Sequence, residues 1–214
     1  MKSLRISIFA ALVAMAILSL TNLFGVPAAG IAVLVGILFC FFSSREEKQT
    51  AEENPLNIKT LGKALKNKSV WLWLPLPIVA NAVCIGISLL FFPEFVAHVL
   101  NRSSSVLTLD NMVMLVGQLS ILALGEEIAW RAFFQSQLKK ILPFEAALFI
   151  TSVLFALGHI SVGDPKIVVY DLFFVFINSL LYGIVYKKSG NVWVSAISHY
   201  AANLSGILMF TLLA

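Results

Sequence analysis

Three short patterns in this 214-residue chain bring together residue types that can hydrolyse or bind polar groups. The first is Glu126-Glu127-Ile128-Ala129-Trp130-Arg131, the second Phe155-Ala156-Leu157-Gly158-His159, and the third His199-Tyr200-Ala201-Ala202-Asn203. Each lies in an apolar run, where ionisable side chains are costly and usually face a bundle interior for a functional reason. Glu127 and Arg131 are four apart and can pair directly on a helix. Glu126 points about 100° away from Glu127, free for another partner. Phe155 and His159 share a helix face, as do His199 and Asn203. The plainer alternatives are a buried ion pair with a spare acid, and histidines that only join helices. His98 falls between apolar runs and is expected to be solvated.

These groups suit hydrolysis of an amide. A carboxylate and an imidazole can together deprotonate a water and deliver it to a carbonyl carbon. A second imidazole and a carboxamide can donate hydrogen bonds to the oxyanion that develops. Glu126, His159 and His199 could instead ligate zinc, since all are ordinary ligands for it. No His-Glu-x-x-His helix is present, so the pattern does not demand a metal, and a site without a cofactor is the favoured reading.

The elements that position these residues must be membrane helices. The chain is 59% hydrophobic and only 12% charged, against roughly a quarter charged in soluble domains. Seven apolar segments, 5–23, 26–43, 71–92, 111–138, 143–160, 167–186 and 192–213, qualify as spanning helices, the second and fifth near the short limit. Lipid offers the backbone no hydrogen-bond partner, so an all-α polytopic bundle of about seven transmembrane helices follows. Residues 1–110 hold three of the helices and a polar loop at 45–69, and residues 111–214 hold the three motifs. Ile58, Leu61 and Leu65 share one face opposite Lys59, Lys63 and Lys66, as in a helix lying on an anionic surface. Cys40 and Cys84 sit apart in apolar runs and read as packing residues. On the sixth segment Asp171 and Asn178 share a face and read as helix-joining groups.

Charge sets the expected orientation. With the N-terminus cytoplasmic, inside loops hold Lys2, Arg5, Arg45, Lys48, Lys59, Lys63, Lys66, Lys68, Lys139, Lys140, Lys187 and Lys188. Outside loops hold only Arg102 and Lys166. This bias predicts a multi-pass cell-membrane protein with its C-terminus outside. It also assigns the basic pI of about 9.1 to the membrane rather than to nucleic acid. At about 1.5 Å per residue from the cytoplasmic end, Glu126 and Glu127 lie about 18–20 Å deep, His159 about 24 Å, Asn203 about 18 Å and His199 about 12 Å. One slab of the membrane would therefore hold all of them.

The three motifs in order, each on its own apolar helix, resemble those of the CPBP family, the CAAX prenyl endopeptidases and the bacteriocin-processing or self-immunity (Abi) proteins. The resemblance covers roughly residues 111–213. It implies an intramembrane endopeptidase in which Glu126 with His159 activates water and His199 with Asn203 stabilises the oxyanion. Glu127 and Arg131 would order the site. Family members are described as metalloproteases, although a glutamate mechanism without metal is also argued. The implied partners are the lipid bilayer and a membrane-associated peptide: a prenylated tail, a leader peptide or a bacteriocin. A relative acting only as a scaffold or immunity protein is the alternative. A cation transporter built on the two glutamates fits less well, because Arg131 would repel the cation and no duplicated half is visible.

Overall fold

A computed structural model of the chain describes residues 6–24, 28–46, 50, 54–104 and 106–213. The regular structure among them is helical throughout. Helices α1 (Ile6–Leu20) and α2 (Ala29–Glu46) pack as a hairpin. The short α3 (Leu61–Leu65) leads into α4 (Lys68–Phe91), whose helical hydrogen bonding is interrupted at Leu74-Pro75. Then come α5 (Phe95–Ser104), α6 (Met112–Leu138), α7 (Phe144–Leu157), α8 (Pro165–Ser189) and α9 (Val192–Leu213).

Local chemistry fixes several ends. The Asn111 side chain accepts from Met114 N at 3.1 Å and starts α6. Asp164 accepts from Lys166 N, and Pro165 occupies the first turn of α8, where its missing N–H is harmless. Gly190 closes α8 at φ 63°, a left-handed conformation that glycine adopts without a Cβ clash.

Among the described residues each of the seven apolar segments holds a helix, but the helices differ in length. Four helices are long and apolar enough to cross a membrane: α4, α6, α8 and α9, with 22 to 27 residues. The apolar helices Ile6–Leu20, Ala29–Arg45 and Phe144–Leu157 are shorter, at most about 26 Å long against a hydrocarbon core of about 30 Å. Large side chains such as Phe9, Leu38, Phe91, Ile121, Phe173 and Leu212 are exposed on the bundle's flanks, where only lipid could cover them. Inside, helices approach closely at small residues. A Cβ on Gly36 of α2 would come within 2.6 Å of Ala129, and one on Gly206 of α9 within 3.3 Å of the Asn81 amide on α4.

The two ends of the bundle are built differently. At one end, residues 54–67 strap across α8 and α9. Asn191 donates to Asn57 O and Thr60 Oγ1, Trp193 Nε1 to Leu56 O, and Asn67 to Lys188 O. Leu61 and Leu65 of this strap pack on buried Val70, Val185 and Val194, while Ile58 is left exposed. At the other end the Asn22 amide donates to Gly158 O, joining the α1–α2 turn to the end of α7.

That second end holds a correction. His98 is not a solvated loop residue. It lies on α5, whose Phe95, Val96 and Val99 are buried, and its ring is within 3.3 Å of Ser161 Oγ and 3.7 Å of Asp171 Oδ2. Arg102 binds the same carboxylate through both Nε and Nη2, at 3.1 and 3.2 Å. Phe95, Val96 and Val99 supply an apolar face, so the segment folds as a helix against the bundle and carries its polar face to α8.

Candidate active site

Glu126 and Glu127 end the regular α-helical part of α6. The next turn and more, Ile128–Gln135, is π-helical, a departure frequent at functional sites. All residues from Ala129 to Gln135 are buried. The two adjacent acids then have different fates.

Glu127 is fully buried. Its Oε2 lies 3.4 Å from Arg131 Nε, the i,i+4 pair expected from the spacing. Its Oε1 lies 3.0 Å from His199 Nδ1. Arg131 is equally buried, donates Nη2 to Ser179 Oγ at 3.1 Å and stands over the Phe155 ring at 5.2 Å. Two buried charges cancel here, and the guanidinium finds a hydroxyl and an aromatic face besides.

Glu126 is half-buried and faces a cavity of about 740 Å³. His199 Nε2 stands 3.6 Å from Glu126 Oε2, so one imidazole bridges the two carboxylates. Tyr182 stacks on that ring at 4.2 Å between centroids and fixes its plane. His159 projects from the end of α7 into the same cavity and packs on Phe155 at 4.6 Å. Its Nδ1 meets Phe155 O at 2.8 Å. A carbonyl can only accept, so Nδ1 carries the proton and a neutral ring keeps its Nε2 lone pair for another partner. Asn203, one turn beyond His199, also lines the cavity.

All six residues singled out in the sequence thus meet around one site, four on the cavity wall and Glu127 with Arg131 beneath it. Among the described residues the ion contact of Glu126 is to His199, not to His159. Geometry also recruits residues that the sequence reading passed over. Tyr182 and Ser179 belong to the α8 face begun by Asp171 and Asn178; extending that face by one turn reaches Tyr182. Asn81 is a lone amide in the apolar run of α4. It accepts from Asn178 at 2.7 Å and donates to Ala202 O at 2.8 Å, tying α4, α8 and α9 together. Asp171 and Asn178 therefore both join helices and line the cavity.

For zinc the candidate ligands are Glu126, His159 and His199. Among the described residues no group of three or more His, Cys, Asp and Glu side chains is clustered closely enough to hold a metal ion. His199 has Nδ1 on Glu127, and only its Nε2 faces Glu126.

Comparison with known proteins adds one match. Residues 108–205 match the Rce1-like family, type II CAAX prenyl endopeptidases. No curated protein and no solved structure matches the chain. The matched stretch contains Glu126, Glu127, Arg131, His159, His199 and Asn203. By that match residues 108–205, from the approach to α6 into α9, are similar to the CAAX prenyl endopeptidases.

Proposed function

We propose that the protein is a membrane endopeptidase that hydrolyses a peptide bond in a membrane-associated peptide through a water activated by Glu126. The supporting observation is the apposition of Glu126 and His199 at 3.6 Å on the floor of a cavity that His159 and Asn203 also line. Glu126 takes a proton from the water as its oxygen attacks the carbonyl carbon. His159 accepts the second water O–H at Nε2, because its Nδ1–H is held by Phe155 O, and so aims the lone pair. The carbonyl oxygen becomes an oxyanion. The Asn203 amide and, with the ring protonated, His199 Nε2–H donate to it. Glu127 accepts from His199 Nδ1 and orients the ring, as the carboxylate does in an acid–imidazole couple. Arg131 balances the charge of Glu127. Glu126 then passes its proton to the departing amine nitrogen as the C–N bond breaks. The products are a carboxylic acid and an amine, and no residue is consumed.

Purified protein incubated with a panel of membrane peptides should release two fragments, and Glu126→Ala should release none. Cleavage that survives in a Glu126→Gln, His159→Ala double variant would sink the assignment. Stoichiometric zinc in active protein, with activity lost on stripping and regained on adding zinc back, would overturn the metal-free chemistry while leaving the endopeptidase standing.

A further inference from the structure

The cavity has a direction. Its floor is Glu126, Tyr182 and His199, near the middle of α6, α8 and α9. From there its wall runs towards Asp171 on α8 and Phe210 on α9, and ends at Val106 and Val162. Those two valines are 60% and 99% exposed, so they mark the mouth. On the other side of the floor the described residues are tightly packed. Glu127, Arg131, Ser195 and Ser198 are all but fully buried there. Beyond them the strap of residues 54–67 caps α8 and α9 through hydrogen bonds from Asn191, Trp193 and Asn67.

The closed end is also the basic end. It carries Lys59, Lys63 and Lys66 in the strap, Lys139 and Lys140 in the turn after α6, and Arg45, Lys68, Lys187 and Lys188 at the helix ends beside them. The open end carries Arg102 and Lys166, and Arg102 is neutralised by Asp171. Basic residues are retained on the cytoplasmic side of a membrane. The open end therefore faces away from the cytoplasm.

We infer that the substrate is a peptide presented at the extracytoplasmic leaflet, which reaches Glu126 through the Val106–Val162 mouth. A tail anchored by a lipid on the cytoplasmic leaflet would meet the strapped, closed end instead. This inference rests on the endopeptidase reading for the word substrate, but the sidedness of the mouth can be tested without any cleavage.

The experiment uses the full chain in cells with Cys40 and Cys84 replaced by alanine, and single cysteines introduced as Val106→Cys, Val162→Cys or Lys63→Cys. A membrane-impermeant thiol reagent should label the two mouth positions in intact cells, and Lys63→Cys only after permeabilisation. Having two mouth positions guards against one variant misfolding. Labelling of Lys63→Cys in intact cells, with the mouth positions protected until permeabilisation, would overturn the inference. In a second arm, a peptide cleaved by detergent-solubilised protein is offered to sealed right-side-out and inverted vesicles. Cleavage by right-side-out vesicles supports the inference, and cleavage by inverted vesicles alone overturns it. If solubilised protein cleaves nothing, the endopeptidase reading fails while the labelling still decides which side the mouth faces.

Discussion

Among the described residues the bundle joins an arginine, a carboxylate and a histidine in two places. In the interior Arg131, Glu127 and His199 form one cluster, with side chains 0%, 0% and 4% exposed. At the open end Arg102, Asp171 and His98 form another, 24%, 6% and 9% exposed. The outer guanidinium grips its carboxylate with two nitrogens at 3.1 and 3.2 Å, whereas the inner pair is a single 3.4 Å contact. By geometry alone the outer cluster is the better salt bridge. The inner one has the imidazole at 3.0 Å from its carboxylate, against 3.7 Å in the outer. Contact quality therefore does not set the inner cluster apart. What marks it is burial together with a second carboxylate, Glu126, on the far side of the histidine. In the outer trio the arginine's two-point grip takes the carboxylate, and the histidine is a peripheral partner.

The sharpest way to break this comparison is to delete each arginine. Arg131→Ala leaves Glu127 as an unpaired charge in a dry interior and should lower folding stability by about 3–5 kcal/mol, seen as a collapse in folded yield in detergent. Glu126→Gln, which leaves the Glu127–Arg131 and Glu127–His199 contacts in place, should give near wild-type yield. Equal yields for Arg131→Ala and Glu126→Gln would deny that the inner pair is structurally required.

Deleting the two histidines separates the clusters by function. His199→Ala should lower turnover by about 10²–10³-fold, the usual loss for one oxyanion donor, with little change in substrate affinity. His98→Ala should leave turnover near wild type, because its polar contacts among the described residues are with Ser161 and Asp171, away from Glu126. The measurement is steady-state cleavage of one peptide by both variants. A large loss for His98→Ala with normal folding would move the boundary of the site outward to the mouth.

The smallest effect belongs to Arg102. Asp171 is buried, but Arg102 is 24% exposed and His98 stays beside the carboxylate, so water can take the place of the guanidinium and Arg102→Ala should lower the thermal midpoint less than Arg131→Ala does. A loss as large as that of Arg131→Ala would mean that α5 is held to α8 mainly by charge rather than by Phe95, Val96 and Val99.

The two trios also differ in how visible they are before folding. Glu127 and Arg131 are four residues apart on one helix, so their pairing follows from helical periodicity, and His199 is marked by its apolar setting. Arg102 and Asp171 are 69 residues apart on different helices, and only the packing of α5 against α8 brings them together. His98 is misread for the same reason: between two apolar runs a histidine looks solvated until α5 folds back. The apolar segments reveal every major helix because lipid demands apolar side chains. Composition is less informative about where a helix stops, and α1, α2 and α7 fall short of full spanning length. The link from Glu126 to His199 rather than His159 depends on ring orientation, set by Glu127 and Tyr182 from two other helices. No single-helix pattern carries it.

The π-helical stretch after Glu127 has a consequence for the rotational phase of α6. A wider turn holds more residues than an α-helical one, which advances about 100° per residue. The angular position of everything past Gln135 is therefore displaced relative to Glu126 from what an unbroken α-helix would give. The segment works as a phase shifter: it lets Glu126 be aimed at the cavity while Ser136, whose hydroxyl reaches Arg131 O at 2.9 Å and Tyr186 at 3.2 Å, stays docked on α8. A change of residue type leaves that offset intact. A change of chain length between Ile128 and Gln135 does not, because it turns one half of the helix against the other and points the acid elsewhere.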